Sequence, residues 1–438
     1  MKRDALGQLE AWKRSPHRKP LVLQGARQVG KTWILKEFAR TYPQSTYLNF
    51  EEDPKLRSLF ETAKPDEILS NIELYFGGPP RDWDDHLLIL DEIQVCSAAL
   101  NSLKYFHEHA APVHVAAAGS LLGIRLAGPQ SFPVGKVDFL DLWPLTFFEF
   151  LDAHDEAQLR RSLEDRSGFE CLPDAIHDKL IALVKRYTFV GGMPEPVERH
   201  RSGASLSEVR AVQHDILRGY ALDFSKYAPA TLIPKLSLVW ESIPTHLGRE
   251  NKKFMFSALR KGARARGYED AIAWLCDARL ALKCHRVTQP TLPLQAQADS
   301  NVFKVYALDV GLLSAMTRLE SAALLDGSRV FEEFRGALTE NYVAQELVAH
   351  GHALHYWASS GGRAELDFVH AAGVDILPLE VKAGINPRSR SLRSYDQQFA
   401  PRFLCRTTAL NFKKQGHLHN YPLYAASRFP ELSYDSDD

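Results

Sequence analysis

Apolar and polar positions along this chain alternate in the manner of an α/β protein. Residues 1–15 set Leu6, Leu9 and Trp12 near one stripe at helical spacing. A basic turn, Pro16-His17-Arg18-Lys19-Pro20, follows. Short, nearly continuous apolar runs come next: Leu21-Val22-Leu23-Gln24, Thr46-Tyr47-Leu48-Asn49-Phe50, His86-Leu87-Leu88-Ile89-Leu90-Asp91 and Val113 to Ala118, with Lys136 to Leu140 as a fifth. Helical segments over 31–41, 54–63 and 98–109 separate them. Strands apolar on both faces, alternating with helices, predict a parallel sheet covered on both sides. From about 142 to 228 the pattern is helical, interrupted by the turn Gly191-Gly192-Met193-Pro194. Residues 229–320 read as a small α+β unit and 321–438 as another α/β unit.

Composition adds bounds. A chain of 438 residues exceeds one hydrophobic core, so two to four domains are expected. The 53 Lys and Arg nearly cancel the 54 Asp and Glu, so any attraction to nucleic acid must come from local patches. Cys96, Cys171, Cys276, Cys284 and Cys405 are scattered without a CxxC pair, as expected of reduced thiols in the cytoplasm. No run of eighteen apolar residues occurs, so no membrane partner is expected.

The chemistry is densest at Gly25-Ala26-Arg27-Gln28-Val29-Gly30-Lys31-Thr32, between a strand and a helix. In G-x4-G-K-[ST] the glycines let backbone amides wrap a β-phosphate, the lysine reaches the β and γ oxygens, and the hydroxyl binds Mg²⁺. Gly25, Arg27, Gln28, Val29, Gly30, Lys31 and Thr32 therefore form a nucleotide-binding set, with ATP and Mg²⁺ as the cofactors implied. Asp91, at the tip of an apolar strand, suits Mg²⁺ support through water, and Glu92 suits polarising an attacking water. Ser120 ends the next strand and can contact the γ-phosphate or that water. Arg125 and Lys136 could reach a neighbouring subunit's nucleotide, or be plain surface charges.

These motifs, with Gly119-Ser120-Leu121-Leu122, Pro144 to Phe150 and the Gly191-Gly192-Met193-Pro194 turn, resemble the bacterial and archaeal AAA-type ATPases that carry a C-terminal domain of unknown function. The resemblance implies an AAA+ core over 1–150, a helical lid over 151–228, a winged helix over 229–320 and a restriction-endonuclease-like domain over 321–438. Many relatives carry Gly-Arg where this chain has Gly135-Lys136, and lysine lacks the bidentate fork of an arginine finger.

Asn251 to Val287 has winged-helix grammar: a helix around Phe256-Ser257-Ala258-Leu259, a basic turn, a second helix from Glu269 to Arg279, and a wing strand Leu280–Val287 partnered by Phe303–Ala307. Lys252, Lys253, Arg260, Lys261, Arg264 and Arg266 could meet a DNA backbone, or be solvated charges on a module packed against the ATPase. Farther on, Glu365 to Val369 and Ile376 to Lys382 read as a hairpin, with Asp367 on one strand and Glu380 and Lys382 on one face of the other. Two carboxylates can hold Mg²⁺ and a nearby lysine can position an attacking water. The arrangement resembles the PD-(D/E)XK nuclease core, which implies Glu340 as a helix acid, Asp367 and Glu380 as metal ligands and Lys382 as the catalytic lysine. Leu366 stands where the pattern has Pro. Arg388, Arg390 and Arg393 follow the hairpin. Two functions stay open: an ATPase whose nucleotide state controls a nucleic-acid-directed, metal-dependent nuclease-like domain, or a nucleotide switch that assembles with protein partners or with itself and cuts nothing.

Overall fold

A computed structural model describes residues 1–77, 81–109, 112–120, 135–249, 252–260, 264–317, 329–362, 364–384 and 390–436. They form two compact units. One comprises residues 2–143 with 277–279; the other comprises Met1, 144–276 and 280–438.

The first unit holds five parallel strands: β1 (Leu21–Gln24), β2 (Gln44–Asn49), β3 (His86–Asp91), β4 (His114–Ala118) and β5 (Asp138–Asp141), in the order β2-β3-β4-β1-β5. β1, β3 and β4 are buried at every position, as their apolar runs require. The helix Lys31–Ala39 packs on the sheet through Ile34, Leu35 and Phe38. The expected helix over 54–63 is a 3-10 helix, Pro54–Phe60, and a helix that the apolar pattern did not announce covers Pro65–Phe76. Asp277–Arg279 belongs here because the Arg279 guanidinium grips Asp141 Oδ1 at 2.9 Å and reaches Gln24 Oε1 at 3.3 Å.

The second unit starts with helices that include Phe147–Ala153, Asp174–Val190, Pro194–Arg201 and Leu206–Tyr227. Two of them open with reciprocal caps, Thr146 with Glu149 and Ser205 with Glu208. An eight-stranded mixed sheet follows: β6 (Ala281–Val287), β7 (Ala298–Ala307), β8 (His355–Ala358), β9 (Glu365–Ala372), β10 (Asp375–Val381), β11 (Leu404–Thr408), β12 (Lys413–Gln415) and β13 (Leu418–Pro422). β6 and β7 pair antiparallel, which joins the two strands expected over Leu280–Val287 and Phe303–Ala307. β6 also pairs parallel with β8, so the strands expected in the 229–320 segment continue into the sheet of the 321–438 segment. The first helix expected in that segment is a single 3-10 turn, Phe256–Ala258, whereas Glu269–Asp277 is α-helical.

A buried polar face of the helix Arg329–Ala349 organises this unit. Asn341 exchanges two hydrogen bonds with the Ala307 backbone, Gln345 accepts from Val310 N at 2.9 Å, and Glu346 accepts from Phe147 N at 2.8 Å. The Gly191-Gly192 turn is clamped by Asp309, whose Oδ2 accepts from Gly192 N at 2.6 Å while Oδ1 caps the helix Val310–Met316 through Leu312 N. Burial pushes the Asp309 carboxyl up to about 6. Among the described residues, no helix is long and apolar enough to cross a membrane.

Candidate nucleotide site and C-terminal acid–lysine cluster

The run Gly25 to Thr32 joins β1 to the helix Lys31–Ala39. Gly25 has φ 155° and approaches Leu142 so closely that a Cβ would lie 2.4 Å from its carbonyl oxygen. Gln28 (φ 66°) and Gly30 (φ 96°) are left-handed on either side of Val29, the alternation that turns successive amides into an anion-binding concavity. The helical ladder begins with Ile34 N to Gly30 O, and the first amides of a helix have no intrahelical acceptor. Arg27 and Gln28 are exposed, and Val29 is buried. Arg3 braces the loop from the N-terminal segment, donating to Val29 O at 3.0 Å and to Trp143 O at 2.6 Å. A buried arginine two residues from the N-terminus carried no motif to announce it.

Lys31 is buried and folds back over the loop, donating to Gly25 O at 3.0 Å and Ala26 O at 2.8 Å. Burial pulls its ammonium down to about 8, against the upward pull of Glu92 and Asp91. Thr32 Oγ1 donates to Asp91 Oδ2 at 2.7 Å. A hydroxyl and a carboxylate in contact are hard oxygen donors that could hold Mg²⁺. Glu92, left-handed at φ 53°, leaves the strand tip toward Ser120 at 3.4 Å and Gln94 at 2.5 Å. The structure thus gathers Lys31, Thr32, Asp91, Glu92 and Ser120 at the C-terminal edge of the sheet, where α/β ligands bind. Gln94 and Tyr47 also join the group, unflagged by the sequence pattern. Lys136 pairs with Glu108 at 3.4 Å. Arg125, Leu121 and Leu122 lie outside the described residues.

In the second unit, the β9–β10 register ends at Leu379 paired with Phe368, so Glu380 and Asp367 are the next residues along the two strands. Lys382 Nζ meets Glu380 Oε1 at 2.6 Å, and Asp367 Oδ2 accepts from Val381 N at 2.8 Å. Burial, with the nearby Glu340 and Glu380 charges, pushes the Asp367 carboxyl upward. Glu340 has a different environment from that of an open ligand. It is buried and bonded to Lys252, to Lys304 Nζ at 3.0 Å and to the Tyr306 hydroxyl at 2.5 Å. Burial would raise its pKa, but Lys252 and Lys304 overcome that and hold it well below the carboxylate range. Lys304, fully buried, also contacts Glu365 Oε1 at 2.9 Å. Among the described residues, no group of three or more His, Cys, Asp or Glu is placed to hold a metal ion. Lys252, one of the basic residues that could meet a phosphate backbone, pairs with Glu340. Arg260, Arg264, Arg266, Arg390 and Arg393 are exposed; Lys261 and Arg388 lie outside the described residues.

A wrapped glycine loop, a lysine over it, and a strand-tip Asp-Glu on a β2-β3-β4-β1-β5 parallel sheet define a P-loop NTPase domain. Residues 17–151 match the family described as AAA domain, and the first unit is accordingly an AAA-type P-loop ATPase domain. Residues 181–323 and 335–425 match two families described as domains of unknown function, DUF8612 and DUF4143. No curated protein matches the chain in sequence. Solved structures similar to it include the Walker-type ATPase PABY2304 of Pyrococcus abyssi, at 13% identity over 72% of this chain and 95% of that chain, TM-score 0.45. Another is the Aeropyrum pernix ORC1 protein in complex with DNA, at 13% identity over 72% of this chain and 90% of that chain, TM-score 0.29.

Proposed function

We propose that the protein hydrolyses ATP at the Gly25–Thr32 loop, and that its nucleotide state governs the C-terminal acid–lysine cluster, which acts on nucleic acid. The loop amides and Lys31 bind the β- and γ-phosphates, Thr32 and Asp91 hold the metal, Glu92 orients and polarises the attacking water, and Ser120 contacts the γ-phosphate or that water. Bound Mg²⁺ supplies charge compensation for the phosphate oxygens. The observation that carries this reading is the contact of Thr32 with Asp91 at 2.7 Å, with Glu92 directed to Ser120 beside it. Lys31→Ala is expected to abolish the heat of Mg-ATP binding. Glu92→Gln is expected to bind ATP while turnover drops by roughly 10²–10⁴-fold, the usual worth of a positioned base. Unchanged hydrolysis in both variants would remove the assignment.

The Glu380–Lys382 pair, with Asp367 bonded to the intervening Val381 amide, supports action on nucleic acid, in which the two carboxylates would hold Mg²⁺. The exposed Arg264, Arg266, Arg390 and Arg393 suit a phosphate backbone. A second reading, a nucleotide switch that assembles with protein partners or further copies of itself and cuts nothing, is favoured by the two lysines on Glu340. An acid already neutralised has little charge left for a cation. Incubation with Mg²⁺ or Mn²⁺, ATP and varied DNA and RNA separates the two readings. Cleavage that disappears in Lys382→Ala supports the first, and intact substrates under every condition support the second.

A further inference from the structure

Asp91 is held from a direction that a phosphate loop alone does not supply. Its Oδ2 accepts two hydroxyl donors, Thr32 Oγ1 at 2.7 Å from the loop and Tyr47 OH at 2.8 Å from β2, the strand paired alongside β3. Its Oδ1 accepts from Glu92 N at 2.9 Å. The three donors fix both carboxylate oxygens and hence the plane of the group.

Tyr47 is itself held in place. The Lys36 ammonium lies 4.2 Å from its ring centroid, and Asn49 Nδ2 donates to the phenol oxygen at 3.3 Å. Lys36 belongs to the helix that begins with Lys31, and Asn49 Oδ1 caps the following turn through Glu51 N and Glu52 N. With its oxygen accepting from Asn49, the phenol directs its one proton at Asp91.

We infer that Tyr47 is a positioning residue for the magnesium site, sharing Asp91 Oδ2 with Thr32 and fixing the carboxylate from β2, so that Thr32 and Asp91 would meet the cation preformed. The inference rests on the ATPase reading above and adds to it a residue outside the G-x4-G-K-[ST] and strand-tip motifs. Thr32 is expected to serve both partners, its oxygen facing the metal while its proton stays on Asp91. Tyr47 has no share in the phosphates, so its removal is felt in metal affinity and not in nucleotide affinity. Outer partners of metal ligands of this kind are worth roughly tenfold or more in metal affinity.

The test uses full-length protein and Tyr47→Phe, which keeps the ring under Lys36 and removes only the hydroxyl. Mn²⁺ binding in the presence of a non-hydrolysable ATP analogue is followed by electron paramagnetic resonance, and metal-free analogue binding by calorimetry. The expected result is Mn²⁺ affinity weakened by about tenfold, metal-free nucleotide affinity unchanged, and a hydrolysis rate that recovers at saturating Mg²⁺. Unaltered Mn²⁺ affinity would overturn the inference, as would a parallel loss of metal-free nucleotide binding, which marks a general structural role. If wild-type protein binds no analogue at all, the ATPase reading fails and takes this inference with it; if wild-type binds and Tyr47→Phe matches it throughout, only the inference fails.

Discussion

Lys31 shows how one side chain ties burial to pH dependence. Its ammonium is pulled down to about 8 because burial outweighs the attraction of Glu92 and Asp91. Phosphate oxygens in contact would raise it again. The sign follows from linkage: below pH 8 both free and bound forms carry the proton, while above it only the bound form does, so binding takes up a proton and affinity falls as pH rises. Above pH 8 nucleotide binding should therefore absorb part of a proton, and the uptake should grow with pH. Calorimetry in two buffers of different ionisation enthalpy measures this uptake directly, and buffer-independent heat would contradict it. The ordinary stability of the apo fold moves the other way. Between about 8 and 10.5 the unfolded lysine keeps a proton that the folded one has lost, so this residue's contribution grows with pH over that window.

At the scale of elements, the turn between Asp174–Val190 and Pro194–Arg201 is the sharpest constraint. A Cβ on Gly192 would lie 2.1 Å from Leu145 O, and one on Gly191 would lie 2.2 Å from Asp309 Oδ1. Gly192→Ala is therefore expected to cost about 1–3 kcal/mol in urea unfolding, the usual cost of overpacking that shifts backbone in a packed core. Gly219→Ala, in the helix Leu206–Tyr227 with nothing within 4 Å of the added methyl, is expected to stabilise by about 0.5–1 kcal/mol. Equal effects of the two would show that the turn is looser than its contacts imply. The sequence foretold Gly191-Gly192 as a turn but not its partners, because Leu145 and Asp309 are remote in the chain. The same limit recurs elsewhere. β1, β3 and β4 were legible since burial on both faces leaves a continuous apolar run, and the loop and Asp91 followed from their ends. β8, β11 and β13 were not resolved from the pattern, and the union of β6 with β8 depends on pairing that no local period encodes. Lys304 and Tyr306 illustrate the cost: they occupy alternate positions of β7 in Phe303-Lys304-Val305-Tyr306-Ala307, and a lysine inside that apolar run was the available sign of a buried ion pair with Glu340.

For the whole molecule, the proposed control of the C-terminal cluster by nucleotide becomes a thermodynamic question about two compact units. A ligand that binds only the folded first unit stabilises it by RT ln(1 + [L]/Kd), about 2.7 kcal/mol at a hundredfold excess over Kd. If the second unit were indifferent to nucleotide, calorimetric unfolding would show one transition that moves with Mg-ATP analogue and one that does not. If the nucleotide state governs the second unit, both transitions shift, and both shifts vanish in Lys31→Ala. The second outcome is the one expected here. It is independent of whether any nucleic acid is cut, since a switch and a nuclease both need the coupling. A lone shift in the first transition would leave an ATPase domain joined to a C-terminal unit that does not sense it, and the common mechanism proposed for the two would have to be abandoned.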